Sequence, residues 1–184
     1  MIHVVAPRSQ NTLKIFTRDG SLWKQFVAGF DAWGNHGQEG ALPLWGHNCW
    51  MPIGHYVLGA PQVFDKPIAS EGYGQIPIQD IDSGALGELV KAGYATVDGL
   101  TATIGGIEAP LAQLAEYDRA ALFVHGGGSN APDPYADRQQ LCRTEGCPRM
   151  ENIDWREFAA WLTPLVAGNI IVFTALETPA ELAC

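Results

Sequence analysis

The stretch ALFVHGGGSN runs from Ala121 to Asn130 and sets the frame for everything around it. Its first five residues, ALFVH, form an apolar run of strand length with no polar face, the pattern of a strand buried on both sides. His125 closes the run, and Gly126, Gly127 and Gly128 follow at once. Three glycines at a strand end mean that something approaches the backbone so closely that a side chain would obstruct it. A bound peptide substrate is the expected visitor.

Working outward, TLKIFTR (Thr12–Arg18) alternates apolar and polar residues, and Asp19-Gly20 then precedes a second apolar pattern, SLWKQFVAGF. That predicts a β-hairpin. Residues 31–52 are rich in Gly, His and Trp without a period, and read as a long structured loop. HYVLGAP and QIPIQDI read as short strands, and residues 94–107 as one or two more. APLAQLAEY (Ala109–Tyr117) is expected to be a short helix. A longer helix is predicted to start at Asp154, with Asp154 as cap and Glu157 completing a capping-box-like pair. Trp155, Phe158, Ala159, Leu162, Leu165 and Val166 share one face at helical spacing. Pro164 is expected to end or kink that helix. NIIVFTAL is the last core strand. No repeat or linker divides residues 1–184, which read as one domain.

Composition agrees. The 184 residues include 21 glycines and 12 prolines, with 47% hydrophobic and 17% charged residues. This is a turn-rich, mainly β (α+β) globular chain with one or two short helices. Its length buries about two-thirds of the unfolded surface, so the core needs no staples. The net charge of −9 repels phosphate backbones and argues against nucleic acid and against polybasic membrane contact. The longest apolar stretch, Leu162–Leu176, is interrupted by Thr163, Pro164, Gly168 and Asn169, so no membrane span is expected. The opening MIHVVAPRSQ has no signal-peptide pattern. Four cysteines, Cys49, Cys142, Cys147 and Cys184, contain no C-x-x-C pair, and they leave the redox compartment open.

Chemistry concentrates in RTEGCPRM. Cys147 follows a glycine in a polar loop, an odd setting for a packing cysteine. A glycine before a nucleophile lets backbone N–H groups turn toward a reacting carbonyl oxygen. Arg149 carries a charge that favours a thiolate or holds a substrate carboxylate. His125, at the end of a rigid strand, suits a general base brought to the cysteine by folding.

The two segments together, HGGGSN…DPYADRQQLCRTEGCPRM, resemble the active-site signature of L,D-transpeptidases of the YkuD type. That signature is a histidine followed by glycine, a spacer, then Ser/Thr-His-Gly-Cys, one residue, and Arg or Asn. The resemblance is strongest over residues 121–172. MPIGHYVLG (Met51–Gly59) is similar to the family's TPxGxF strand, and YGQIPI (Tyr73–Ile78) to its YGPxxI strand. What the resemblance implies is a β-sandwich or barrel-like catalytic fold in which His125 is the base and Cys147 the nucleophile. Gly146 precedes the nucleophile, and the Gly126 carbonyl orients the imidazole. Thr144, Arg149, Gly127 and Tyr73 become substrate-binding positions. The implied reaction is acyl transfer on peptidoglycan stem peptides through a cysteine thioester, without metal or cofactor. Hydrolysis by water, as in an L,D-carboxypeptidase or endopeptidase, is the alternative. The implied place of action is the bacterial cell wall, reached as a phage product, as a delivered effector or after loss of a leader. Glu145 departs from the family's histidine; a carboxylate there raises a nearby thiol's pKa unless it points away or pairs with Arg143 or Arg149. Pro148 is a milder departure. Oligomeric state is not legible.

Three rival readings have residues behind them. HGGGS resembles the oxyanion loop of α/β-hydrolase lipases, but no G-x-S-x-G elbow follows. His36, His47, Cys49 and His55 are metal-ligand types, yet their spacing fits no zinc pattern, and LWGHNCWMP reads as a packed aromatic loop. An inactive wall-binding or virion module would keep the fold, and Glu145 favours it. Cys142 is expected to pack, Cys184 to be incidental, and Asp133 and Tyr135 to shape turns.

Overall fold

The computed structural model describes residues 1–32, 50–117, 121–128 and 131–177. The predicted hairpin forms as β2 (Thr12–Phe16) and β3 (Leu22–Gly29), paired antiparallel with a register shift at Ile15/Phe16. β1 (Ile2–Pro7) pairs antiparallel with β2 and parallel with β12 (Ile171–Leu176). β12 pairs with β4 (Gly54–Leu58), and β4 with β6 (Gly72–Gln79). β6 pairs with β10 (Leu122–His125), β10 with β11 (Arg149–Met150), and β11 returns to β3. The ring of eight strands is therefore closed and leaves no free edge of its own. β5 (Gln62–Ile68) hangs from β6 outside the ring.

Inward-facing residues fill the barrel. β6 alternates strictly, with Gly72, Gly74, Ile76 and Ile78 buried and Tyr73, Gln75 and Pro77 half-buried, the period of two that a pleated strand imposes. The core joins Val4, Leu13, Ile15, Phe26, Ile76, Val124 and Phe173 to Trp155, Phe158 and Leu162 of α2 (Asn152–Val166). Trp155 settles α2 on the barrel: its indole N–H donates to the Val124 carbonyl at 3.0 Å. Its ring occupies the space that a side chain at Gly74 would need. A second sheet, β7 (Ala95–Asp98), β8 (Thr101–Ile104) and β9 (Ile107–Pro110), joins α1 (Ser83–Lys91) in a satellite core with Val172. This covers the outer faces of β1 and β12, which explains why all six β1 residues are buried.

Two expectations are corrected here. Ala109–Tyr117 is not a helix: its start belongs to β9, and only Leu114–Tyr117 form a 3₁₀ turn. Sheet partners claim the amides there, Leu111 N–H donating to the Leu100 carbonyl and Ala112 N–H to the His55 carbonyl. The long helix starts at Asn152, not Asp154, and it continues through Pro164 to Val166. Glu151 occupies the cap position without a side-chain cap bond, and Asp154 sits in the first turn. Pro164 lies in the last turn, where a missing N–H costs only one helical bond. Residues 33–49, most of the expected long loop, lie outside the described residues. Among the described residues no helix is long and apolar enough to cross a membrane.

Candidate active site

Strand pairing brings the two motif segments together. His125 and Arg149 are register partners in the parallel β10–β11 pair. The His125 N–H donates to the Pro148 carbonyl at 3.1 Å, one residue beyond Cys147. Cys147 is half-buried and lies outside any disulfide. Cys142 is buried and disulfide-bonded, which corrects the expectation that it merely packs. Cys147 is not disulfide-bonded, so the two cysteines are not joined. Cys49 and Cys184 lie outside the described residues.

His125 is buried, and its Nδ1 stands 2.5 Å from the Gly126 carbonyl oxygen. A carbonyl only accepts, so Nδ1 carries the proton and Nε2 is left as the basic nitrogen. Burial, reinforced by the Arg149 charge and opposed by the Gly126 hydrogen bond, lowers the imidazole pKa to about 4. At neutral pH the ring is uncharged.

The turn carrying Cys147 is built by Thr144. Its Oγ1 accepts the Gly146 N–H at 3.1 Å and donates to the Cys147 carbonyl at 2.7 Å. Gly146 has φ +100°, a conformation that L side chains rarely adopt. The Thr144 hydroxyl therefore shapes the turn rather than facing outward, and it takes the Gly146 N–H that the sequence reading offered to an oxyanion. Asp31 anchors this segment to the end of β3: its carbonyl accepts the Thr144 N–H at 3.1 Å, and its Oδ2 accepts from Arg143 Nε at 2.9 Å. Glu145 is exposed. We expect Thr144→Val, which keeps the shape and deletes the hydroxyl, to lower stability by about 1–2 kcal/mol in chemical denaturation. An unchanged midpoint would mean that the turn holds itself.

The three glycines are each approached closely by the protein's own atoms. A Cβ on Gly126 would collide with Asn152 Oδ1, one on Gly127 with Gly72, and one on Gly128 with the Arg149 guanidinium. The close visitors are the protein's own atoms. Gly127 N–H donates to Asn152 Oδ1 at 2.8 Å, and its carbonyl accepts from Gln139 Nε2. Arg149, read as a substrate contact, is fully buried, with Nη1 donating to the Cys142 carbonyl at 3.3 Å. Burial lowers its pKa to about 10, so it stays cationic at neutral pH and acts on His125 by its charge. Tyr73 is half-buried; its hydroxyl donates to the Tyr135 carbonyl at 3.3 Å, and the Arg156 guanidinium lies 4.6 Å from its ring centre.

Sequence reasoning missed Asn152, Gln139 and Asp31. Asn152 stands three residues after Arg149 at a helix start, but the better-formed Asp154–Glu157 pattern drew the cap assignment. His55, from the metal reading, belongs to another network, bonded to Thr174 Oγ1 at 2.7 Å and the Ala102 carbonyl at 3.0 Å. His36, His47 and Cys49 lie outside the described residues.

Fold and site together define a closed, mainly β barrel that carries a buried histidine and a cysteine outside any disulfide on adjoining chain segments. Two solved structures share this architecture at low sequence identity. Bd1075 from Bdellovibrio bacteriovorus aligns with TM-score 0.51 and 11% identity over 99% of this chain and 48% of its own. Pgp2 from Campylobacter jejuni, a helical cell shape determining protein, aligns with TM-score 0.50 and 16% identity over 100% of this chain and 50% of its own. The chain thus spans about half the length of these fold neighbours. No family model matches the chain, and no curated protein matches it in sequence.

Proposed function

We propose that this chain is a cysteine-dependent acyltransferase or hydrolase acting on peptidoglycan stem peptides, with Cys147 as nucleophile and His125 as base. The observation that carries this reading is the β10–β11 register. It pairs His125 with Arg149 and sets the His125 N–H on the Pro148 carbonyl, so the residue next to Cys147 is held against the end of β10. In this reading Nε2, the nitrogen not committed to Gly126, is the one that takes the thiol proton. The disulfide at Cys142 supports an oxidising compartment. A fold neighbour that determines cell shape, a property the bacterial wall carries, supports a wall substrate.

The chemistry balances with these two side chains alone. The Cys147 S–H proton passes to His125 Nε2 as sulfur attacks the carbonyl carbon of a stem-peptide bond. The tetrahedral oxyanion collapses, the C–N bond breaks, and His125 returns the proton to the departing amine. A thioester remains. Water or an acceptor amine then attacks it, giving its proton to His125, and sulfur leaves with that proton. A neutral imidazole of low basicity means that no thiolate–imidazolium pair stands ready beforehand. Proton transfer accompanies the attack, because the developing thiolate raises the imidazole pKa only as it forms.

Digestion of purified peptidoglycan, followed by mass analysis of the fragments, tests the reading. New crosslinks identify a transferase, and lost terminal residues or split crosslinks a hydrolase. Unaltered fragments under conditions where the protein stays folded would overturn it.

A further inference from the structure

Asn152 is fully buried at the first position of α2, and its whole amide is engaged. Nδ2 shares its two hydrogens among the Pro134 carbonyl at 2.9 Å, the Ala136 carbonyl at 2.7 Å and Gln139 Oε1 at 2.9 Å. Oδ1 accepts the Gly127 N–H at 2.8 Å. The chemistry of the partners settles the amide's orientation, since carbonyls demand the NH₂ and an N–H demands the oxygen.

The Gly127 N–H and the Gly126 C=O belong to one peptide group. That group is planar and resists rotation. Its oxygen takes the His125 Nδ1 proton at 2.5 Å, while its hydrogen goes to Asn152. The bonds form a continuous chain: His125 Nδ1–H to Gly126 O, then across the peptide, and Gly127 N–H to Asn152 Oδ1. An acceptor on the N–H side draws electron density toward the carbonyl oxygen and strengthens it as an acceptor. The glycines permit this, because a Cβ at Gly126 would overlap Asn152 Oδ1. Gln139 steadies the next carbonyl, that of Gly127.

We propose that Asn152 is a positioning residue that fixes the tautomer and orientation of His125 through the Gly126–Gly127 peptide. Its catalytic meaning rests on reading His125 as the base; the relay itself does not.

Nitrogen-15 NMR of the imidazoles tests it on the whole chain. In the wild-type protein His125 carries its proton on Nδ1. Asn152→Ala shifts His125 toward a mixture of tautomers and slows iodoacetamide labelling of Cys147 about 10- to 100-fold, the loss typical when the partner orienting a metal-bound histidine is removed. Asn152→Asp keeps an acceptor for the Gly127 N–H but loses the three donor contacts. It retains the Nδ1–H tautomer even where its stability falls, whereas a residue that only anchored the 131–140 loop would fail equally as Asp and Ala. His55 serves as the internal control for folding, because its Nε2 must stay protonated to reach the Ala102 carbonyl.

A wild-type His125 protonated on Nε2 overturns the relay, and this measurement needs no variant. So does a folded Asn152→Ala protein whose His125 tautomer is unchanged. A responsive tautomer combined with Cys147 labelling that ignores His125→Ala would leave the relay standing and remove the nucleophile.

Discussion

On the proposed mechanism, Cys147→Ala is expected to leave purified peptidoglycan chemically unaltered, with turnover down by roughly 10⁴-fold or more, the scale of loss when a covalent nucleophile is deleted. The thioester cannot form without that sulfur. Cys142, five residues away in the chain, cannot substitute, because it is disulfide-bonded. The fold survives: Cys147 is half-exposed and packs at the margin of the core, so losing its sulfur removes little buried surface. Circular dichroism and thermal melting should match the wild type. Retained turnover in a pure, folded alanine variant would eliminate Cys147 from the chemistry.

Acid is expected to destabilise this protein steeply between pH 6.5 and about 4. His3 and His125 are buried, and each has its pKa lowered to about 4, chiefly by desolvation. In the unfolded chain both titrate near 6.5. As pH falls through that window the unfolded state binds protons that the folded state refuses, so stability drops, and it levels off below the folded value. A separation from 6.5 to about 4 corresponds to about 3 kcal/mol for each histidine. Against a total stability of about 5–15 kcal/mol this is a large fraction.

Burial is the main reason His3 resists protonation, and the local bonds fix its tautomer. His55 Nε2 must donate to the Ala102 carbonyl, so its Nδ1 accepts from the Thr174 hydroxyl at 2.7 Å, and Thr174 Oγ1 accepts from His3 Nε2 at 2.6 Å. That chain assigns both neutral tautomers. A charge on His3 faces desolvation and repulsion from His55. His55 is lowered as well, by burial. Asp80 and Asp154 act in the opposite sense, since burial raises their pKa, but both are partly exposed and solvent screens them. Urea unfolding at pH 7 and pH 4.5 reads the difference, and His3→Gln should remove its share of the acid loss. Equal stability at the two pH values would show that the histidines titrate alike in both states.

Particular elements explain what was legible. The β2–β3 hairpin and β6 carry local periods strong enough to read, while β10 and β12 announce themselves by apolar runs, that of β12 interrupted at Thr174. β5 was invisible because it is solvent-exposed along nearly its whole length, so no alternation was required of it. α1 contains Gly84 and Gly87, which mask its helical pattern, although Asp82 caps it by accepting the Ala85 N–H at 2.7 Å. The start of α2 shifted because Asn152, held by loop carbonyls, overrode the local capping pattern, and its end shifted because the helix runs through Pro164 to Val166.

The sequence by itself determined the mainly β class and the acidic charge, and it displayed a strand-ending histidine and a glycine-preceded cysteine, since these depend on composition and local order. Only the tertiary structure decided that β10 lies against β11, that Arg149 is buried, that Thr144 shapes the cysteine turn, and that the three glycines admit Asn152, Gly72 and Arg149. Those outcomes depend on hydrogen-bond register and packing between residues far apart in the chain, which no local period encodes.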